Sequence, residues 1–341
     1  MLTSTPHPTD KLALLRGVSR SFYVSIRLLP APLREPVAAA YLLARATDTI
    51  ADTAQLPAAE RYEKLCVLAA AIEGDAGARA AIGDLSTAFA ARQQDPQERD
   101  LILALPQCLA WLDALDGADQ ADIRTVLRHI TRGQLLDITR FGNGPAVHAL
   151  ANAEALDEYT WLVAGCVGEF WTDLCMRHLP GFASLPADRM RALGRAYGSG
   201  LQLINILRDM GADLAARRCY LPADALAAAG RAAADLAAAD LARDPARLAP
   251  VYNHWLAQAG ARLDQGMAYC MAVNHRRVRA ASALPALIGA RTLALLRQAG
   301  PGALHTRVKV PRHEVRAILL PLAVTLAARG PLQAGFIRLR G

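Results

Sequence analysis

The chain has 341 residues, of which 53% are hydrophobic, 20% charged and 5% aromatic, and its formal net charge is +7. This apolar fraction excludes an intrinsically disordered chain, which carries too little apolar surface to form a core. The six cysteines include no Cys-x-x-Cys pair, which argues against a disulfide scaffold and a thiolate zinc site, so we expect reduced thiols in a cytoplasmic protein.

From the N-terminus onward, the sequence is typical of an all-α protein. Alanine and leucine are abundant, apolar residues recur every three or four positions, and no alternating strand pattern persists. Clusters of glycine and proline predict breaks at 29–36, 142–145, 180–186, 244–250 and 300–311. Between these breaks we predict helices at 37–53, 58–73, 97–115, 119–140, 154–178, 187–214, 251–273, 283–298 and 313–328. The Ala- and Asp-rich stretch 223–243 is also expected to be helical.

Short breaks between continuous helices favour a single domain over residues 1–341. We divide it into a core at 12–300 and a basic, apolar C-terminal segment at 301–341. Residues 1–10 contain no apolar segment typical of a signal peptide, and the apolar stretch 317–328 is shorter than the ~20 residues that span a bilayer. We therefore expect a soluble protein, or one that rests on a membrane surface.

Positive charge is concentrated at the C-terminal end of the chain. Residues 271–341 contain twelve arginines and lysines and a single acid, Glu314. Such a segment attracts anions, which include lipid headgroups, phosphorylated substrates and nucleic acid. A solvated arginine-rich surface is the alternative for most of these residues. We do not expect nucleic acid as a partner, because no known binding motif accompanies the charge.

Polar side chains form a narrow line on the apolar helix predicted at 37–53. Tyr41, Arg45, Asp48 and Asp52 fall within an arc of about 60° if each residue advances the helix by ~100°. The rest of this stretch is small or apolar, whereas a surface helix carries a broad polar face. The pattern indicates a helix whose polar line faces a cavity.

A second polar line lies on the helix predicted at 187–214. Gln202, Asn205, Asp209 and Asp213 fall within an arc of about 80°. The apolar residues between them are expected to pack on neighbouring helices.

Two aspartates four positions apart can present both carboxylates to the same hard cation. Mg²⁺ prefers carboxylate and phosphate oxygens, so the two pairs predict Mg²⁺ bound against a diphosphate, with Arg45 and Arg208 hydrogen-bonded to that anion. Such cations would stabilise the charge that grows on a departing diphosphate. Either pair alone could be a solvated surface pair. A di-iron or di-manganese bundle requires Glu-x-x-His, and no glutamate in this chain has a histidine three residues later.

The segment from Tyr159 to Gly168 is typical of a buried helix that contains glycines. Glycine inside a helix costs about 1 kcal/mol relative to alanine, so its presence calls for a reason. Close helix packing at Gly165 and Gly168 is one reason, and space for a long hydrocarbon chain is the other. Tyr159 is either a buried core residue whose hydroxyl is hydrogen-bonded, or a residue that faces that space.

Together these segments resemble the squalene/phytoene synthase family, the head-to-head prenyl transferases of the class I isoprenoid fold. The resemblance covers residues 12–300 in order and spacing. It rests on Ser19-Arg20-Ser21-Phe22-Tyr23, Tyr41-x-x-x-Arg45-x-x-Asp48-x-x-x-Asp52, Tyr159-x-x-x-Val163-Ala164-Gly165-x-Val167-Gly168, Gln202-x-x-Asn205-x-x-Arg208-Asp209-x-x-x-Asp213 and Arg218-Cys219-Tyr220-Leu221-Pro222.

This resemblance implies a single large helical bundle with a central cavity, in which two allylic diphosphates bind with Mg²⁺. It also implies a role for Tyr159 in handling the carbocation or the proton. The implied metal ligands are Asp48, Asp52, Asn205, Asp209 and Asp213. The implied substrate-binding residues are Ser19, Arg20, Ser21, Tyr41, Arg45, Val163, Gly168, Gln202, Asn205, Arg208, Arg218 and Tyr220. Many members carry an acid where this chain has Ala212, a departure that affects an outer contact and no implied metal ligand.

The function that the resemblance implies is condensation of two farnesyl diphosphates, through presqualene diphosphate, to squalene with NADPH as reductant. Residues 163–171 resemble bacterial squalene synthases, while phytoene from C20 diphosphates and dehydrosqualene without reduction are alternatives. An inactive helical lipid-binding scaffold is the alternative from another class. We expect a cytoplasmic enzyme, at most peripheral on the inner face of the membrane, because the membrane-spanning anchor of eukaryotic squalene synthases is not recognised in this sequence.

Overall fold

The computed structural model describes residues 10–18, 20–53, 55–141, 146–230, 248–325 and 327–341. They fall into two compact units, Met1–Ile138 and Thr139–Gly341. The all-α prediction is confirmed, because helices make up nearly all of the regular structure in both units. The prediction of a single domain stays a prediction.

Helices α1 to α8 build the first unit, and α8 runs past its boundary. The bounds are α1 (Asp10–Val18), α2 (Arg20–Leu28), α3 (Ala31–Ala51), α4 (Ala58–Glu73), α5 (Ala76–Ala90), α6 (Pro96–Leu103), α7 (Leu105–Asp113) and α8 (Gly117–Phe141).

Helix α3 carries the first polar line and begins at Ala31, before the predicted start at residue 37. Pro30 precedes the helix and Pro32 lies in its first turn. Backbone N–H groups in the first turn have no partner within the helix, so proline costs no helical hydrogen bond there. Pro36 lies buried inside the helix, so the break predicted at 29–36 is wrong over most of its length. Leu42 and Leu43 are fully buried and anchor α3 in the core of its unit.

Other helices of this unit differ from the sequence prediction. The pattern did not predict α1, α2 or α5, although Asp75 gives α5 an N-cap by accepting a hydrogen bond from Ala78 N at 2.8 Å. The helix predicted at 97–115 divides at Ala104 into α6 and α7, because Pro106 lies in the first turn of α7.

The second unit is organised around a long central helix. Helix α11 packs against α10, α13 and α14. The bounds of this unit's elements are β1 (His148–Leu150), α9 (Ala153–Thr160), a π-helical turn (Trp161–Gly165), α10 (Cys166–His178), α11 (Ala187–Ala215), β2 (Arg218–Pro222), α12 (Ala223–Ala228), α13 (Ala249–Ala272), α14 (Arg276–Ala299), a 3₁₀ turn (Gly300–Leu304), α15 (Arg312–Val324) and α16 (Arg329–Arg340).

A short parallel pair of strands joins the segment before α9 to the segment after α11. His148 of β1 lies opposite Arg218 of β2, and the register shifts between Ala149 and Leu150. Arg217 turns the chain from α11 into β2 with a left-handed φ of 64°. Strands of three and five residues are too short to show a period-two pattern, which is why the sequence did not predict them.

Glycines let α11 approach the helix that precedes it. A Cβ placed on Gly168 would lie 1.9 Å from the carbonyl oxygen of Gly194, and one on Gly198 would lie 2.2 Å from that of Ala164. A Cβ on Gly165 would meet the hydroxyl of Ser199 at 2.6 Å. The backbone of α11 therefore occupies the space beside these glycines, and close helix packing is the reason for them rather than room for a hydrocarbon.

The C-terminal elements also differ from the prediction. Helix α14 begins at Arg276 and includes Pro285, while the helix predicted at 313–328 ends at Val324 and is followed by the unpredicted α16. Of the predicted helix at 223–243, the first residues form α12, and 231–247 lie outside the described residues.

One stretch of the described residues, Arg276–Leu304, is long and apolar enough to cross a membrane by length and composition. In this structure 67% of its most apolar window is buried, as in a core helix, and α14 contacts α11, α13, α15 and α16.

Candidate functional site

The first group of predicted residues lies along one face of α3 and is joined by a glutamate from α6. We call Tyr41, Arg45, Asp48, Asp52 and Glu98 the α3 cluster. Arg45 donates from Nη1 to Asp48 Oδ2 at 2.8 Å and from Nε to Glu98 Oε1 at 2.9 Å, and its Nη2 also donates to Glu98 Oε1. The Glu98 side chain is only 14% exposed, so the inner edge of the guanidinium is bound to a largely buried carboxylate.

Two acids one turn apart on α3 shape the electrostatics of this cluster. Burial of the Asp48 carboxyl and repulsion from Asp52, only partly offset by Arg45, raise the pKa of Asp48 from 3.8 to about 6. Burial alone would lower the pKa of Arg45, but the hydrogen bonds and charge of Glu98 outweigh it, so the pKa of Arg45 is raised. Arg45 therefore remains a cation beside Asp48 and Asp52, whose carboxylates repel each other.

The second group of predicted residues lies on α11 and on the segments next to its C-terminal end. We call Arg208, Asp209, Asp213, Arg218 and Arg307 the α11 cluster. Arg208 donates from Nε to Asp209 Oδ1 at 3.1 Å and pairs with Oδ2 through Nη2, while Arg218 Nη2 lies 3.7 Å from Asp213 Oδ1. Both carboxylates of this pair thus lie beside arginines.

Arg307 is a member of this cluster that the sequence did not predict. Its Nε lies 3.4 Å from Asp209 Oδ1, although its side chain is 72% exposed. Gly211 permits the approach, because a Cβ there would lie 2.2 Å from the carbonyl oxygen of Leu304 in the 3₁₀ turn. The glycine between the two aspartates therefore lets the segment that contains Arg307 pack against α11.

The burial pattern of α11 fits the predicted polar line. Gln202 and Asn205 are half-buried on the face that carries Asp209, while Leu203 and Ile206 are buried. Their assignment to substrate and metal binding stays a prediction.

Two of the predicted tyrosines meet in the core of the second unit. The rings of Tyr159 and Tyr220 stack with centroids 4.8 Å apart, and the Tyr159 hydroxyl donates to that of Tyr220 at 3.4 Å. Phe141 packs edge-on against Tyr220 at 5.2 Å. Both tyrosine side chains are less than a tenth exposed. Their two hydroxyl groups therefore lie in a largely aromatic environment.

The turn after Tyr159 is π-helical rather than α-helical. It begins at Trp161, whose Nε1 donates to Glu169 Oε2 at 3.0 Å and whose ring lies 5.1 Å from the Arg195 guanidinium. Val163 is half-buried within this turn. The helix predicted at 154–178 is thus interrupted by one π-helical turn at Trp161–Gly165, a feature often found at functional sites.

The remaining predicted residues are Ser19, Arg20 and Ser21 near the N-terminal end of the chain and Gly168 in α10. Ser19 lies outside the described residues, and the side chains of Arg20 and Ser21 at the start of α2 do as well. Gly168 packs against α11, and its assignment to substrate binding stays a prediction.

The donor chemistry of each cluster fits a hard divalent cation. Each offers two carboxylates one helical turn apart, and Mg²⁺ prefers such oxygens together with those of phosphate. Within the described parts of the chain, no three histidine, cysteine or acidic side chains converge on one point as a closed protein metal site. An open pair of carboxylates, which leaves positions for water and phosphate oxygens, is the arrangement that Mg²⁺ uses with phosphorylated substrates.

Comparison with known proteins points to one family. The family model described as Squalene/phytoene synthase matches residues 15–314. A phytoene synthase of Thermus thermophilus is 31% identical over 94% of this chain and 93% of its own length. A bifunctional lycopene cyclase/phytoene synthase of Leptosphaeria maculans is 27% identical over 65% of this chain, which spans 35% of that protein.

Structural comparison supports the fold. The structure of TcSQS in complex with the ligand BPH1237 superposes with a TM-score of 0.76 over 97% of this chain and 89% of that one, at 22% identity. This likeness confirms the class I isoprenoid synthase fold that the sequence motifs implied.

Proposed function

This chain belongs to the squalene/phytoene synthase family, and on that premise we propose that it condenses two isoprenyl diphosphates head to head with the help of Mg²⁺. The observation that carries the proposal is the recurrence of one arrangement in one chain. In each cluster, two aspartates one turn apart on an apolar helix lie beside arginines, as Arg45 does at Asp48 and Arg208 at Asp209.

The residues of the two clusters would perform distinct tasks. The aspartates of each cluster would hold Mg²⁺, which would supply positive charge to offset the charge on the departing diphosphate. Arg45 at the α3 cluster, and Arg208 and Arg218 at the α11 cluster, would donate charge-assisted hydrogen bonds to a diphosphate bound at their own cluster and fix its orientation. The stacked tyrosines would offer an electron-rich surface to a carbocation. The residues proposed to hold Mg²⁺ are Asp48, Asp52, Asn205, Asp209 and Asp213.

For the product we propose squalene, formed from two farnesyl diphosphates with hydride from NADPH. The support is the sequence of residues 163–171, which resembles bacterial squalene synthases. Phytoene from two C20 diphosphates is the second candidate, because the Thermus thermophilus relative, at 31% identity, is named a phytoene synthase. Dehydrosqualene would follow if C15 substrates are condensed without reduction.

A product assay tests both levels of the proposal. Purified protein is incubated with farnesyl or geranylgeranyl diphosphate, with and without Mg²⁺ and NADPH, and the hydrocarbons are identified. Squalene formed only with both additions is the expected result. Phytoene, or dehydrosqualene with or without NADPH, would favour the second candidates, and no turnover of either substrate would contradict the condensation.

An inactive lipid-binding scaffold would behave differently from an enzyme when its carboxylates are changed. Asp48→Asn and Asp209→Asn should each lower turnover about 100-fold if the carboxylates act in the reaction. A scaffold would show no turnover in the unchanged protein and unaltered lipid binding in both variants.

We further propose a peripheral contact with an anionic lipid surface through the outer face of α15, which suits a cytoplasmic enzyme with an oily product. Leu320 and Val324 lie one turn apart there and are 67% and 73% exposed. Arg312 and Arg316 are exposed on the same helix, and its single acid, Glu314, is paired with Arg291. Apolar side chains next to exposed basic ones are typical of interfacial helices.

A further inference from the structure

We propose that Glu98 is a positioning residue, which holds Arg45 in the orientation that binds the diphosphate of the substrate. The inference rests on the function proposed above and adds a residue that lies on neither polar line. Glu98 belongs to α6, yet its carboxylate contacts α3 at two points. It accepts from Arg45 Nε at 2.9 Å and also from Nη2, and the Thr49 hydroxyl lies against its second oxygen.

The geometry of Arg45 explains why such an anchor matters. A guanidinium is a planar fork with five N–H groups, and Glu98 binds the edge formed by Nε and Nη2 while Nη1 donates to Asp48 Oδ2 at 2.8 Å. The bound edge lies against a carboxylate that is 14% exposed, whereas the arginine as a whole is 38% exposed. The open edge is therefore held at the carboxylate of Asp48, where a diphosphate with its cation would bind.

A fixed arginine binds an anion more tightly than a mobile one, because its rotamers need not be ordered on binding. Glu98 is itself fixed by the start of its helix, where the Asp95 side chain caps α6 by accepting from Gln97 N at 2.8 Å. Its contacts with Arg45 and Thr49 span one turn of α3, the turn that also contains Asp48. Glu98 thus acts on the substrate only through Arg45.

The test combines Glu98→Gln with a matched control and a double-mutant cycle. The control is Glu314→Gln, which makes the same change in a glutamate that accepts two hydrogen bonds from Arg291 on α14. Glu314 lies in the other unit of the chain. Binding of inorganic pyrophosphate with Mg²⁺ is measured by calorimetry, together with KM and kcat for farnesyl diphosphate. Thermal unfolding of each variant identifies any loss that is due to instability, and Glu98→Asp tests rescue by a shorter carboxylate.

We expect Glu98→Gln to weaken pyrophosphate binding about tenfold and to raise KM more than it lowers kcat. Glu314→Gln should change neither, and Glu98→Asp should recover part of the affinity. In an Arg45→Ala background, Glu98→Gln should cause no further loss. Unchanged binding in Glu98→Gln, or an equal loss with and without Arg45, would overturn the positioning role while the proposed function stands. No turnover by the unchanged protein would remove both.

Discussion

At the scale of single residues, the acids of the α3 cluster and of the α11 cluster lie beside arginines. Asp48 is paired with Arg45, Asp209 with Arg208 and Arg307, and Asp213 lies beside Arg218. A cation that binds these acids must compete with the arginine N–H groups, and an N–H group that is released from a carboxylate can donate to the incoming phosphate. The pairs therefore link metal binding to phosphate binding within each cluster.

The raised pKa of Asp48 predicts that this residue destabilises the ligand-free fold at neutral pH. The folded protein holds the Asp48 proton up to about pH 6, whereas an unperturbed aspartate loses it near 3.8. As the pH rises through this interval, ionisation favours the unfolded chain, and the penalty is complete above pH 6. Asp48→Asn should therefore melt at a higher temperature than the unchanged protein at pH 8, by about 2 °C, and the difference should shrink towards pH 4.

Asp113 provides a matched control with the opposite sign. Hydrogen bonds from Arg79 lower the pKa of its carboxyl, whereas desolvation and repulsion from Asp52 raise the pKa of Asp48. The ionised form of Asp113 stabilises the fold above its usual pKa, so Asp113→Asn should lower the melting temperature at pH 8, with the difference fading as the pH falls below 4. If thermal unfolding shows the two variants changing in the same direction with pH, the assignment of a raised pKa to Asp48 is wrong.

The exposed pair of Arg307 with Asp209 predicts that replacing Arg307 affects anion binding more than it affects the stability of the fold. A pair whose arginine is 72% exposed contributes little to folding, at most about 1 kcal/mol. Arg307→Ala should leave the melting temperature nearly unchanged but weaken binding of pyrophosphate with Mg²⁺ by about threefold to tenfold. Arg277→Ala, an exposed arginine on α14, serves as the control in calorimetry. Equal affinity in both variants would show that Arg307 does not act at the α11 cluster.

The sequence predicted some residues of the site but not the contacts that complete it. Residues four apart on one helix must share a face, so the polar lines of α3 and α11 could be derived from spacing alone. Glu98 and Arg307 reach these lines from other elements, and nothing in their local sequence distinguishes them from other charged residues. Only the packing of α6 on α3 and of the 3₁₀ turn on α11 brings them into contact.

At the scale of elements, the second unit depends on the approach of two helix backbones. Glycines on both sides permit it, since a Cβ on Gly168 would lie 1.9 Å from Gly194 O and one on Gly194 would lie 2.6 Å from Gly168 O. Backbone cannot move aside as the end of a flexible side chain can. The same approach carries the π-helical turn and Tyr159 against α11.

Gly168→Ala is therefore expected to force α10 away from α11 and to lower the free energy of unfolding by about 1–3 kcal/mol. Gly83→Ala is the matched control, because Gly83 lies inside α5 and a Cβ there meets nothing within 4 Å. That change should stabilise the protein by about 0.5–1 kcal/mol, the helical preference of alanine over glycine. Urea unfolding of the two variants measures both effects, and equal stability of the two would contradict the close contact.

At the scale of the whole molecule, the all-α class followed from composition and periodicity. The predicted helix boundaries were wrong where a helix contains proline or where an element is short. Pro36 and Pro285 lie inside helices although proline predicts breaks, because tertiary packing outweighs the loss of one helical hydrogen bond. The concentration of positive charge in residues 271–341 follows from the sequence alone. Its arrangement, with Leu320 and Val324 beside exposed arginines, required the structure.

That arrangement predicts reversible binding to anionic vesicles. Purified protein should sediment with liposomes that contain phosphatidylserine, less with neutral phosphatidylcholine liposomes, and less again at high salt, because screening weakens the attraction of Arg312 and Arg316. Replacing both Leu320 and Val324 by glutamate should lower the bound fraction about tenfold or more, since it removes apolar area and adds repulsion. Leu185→Glu, at a leucine that is 38% exposed outside the C-terminal segment, should leave binding unchanged. Equal sedimentation of all three proteins would show that the membrane is contacted elsewhere or not at all.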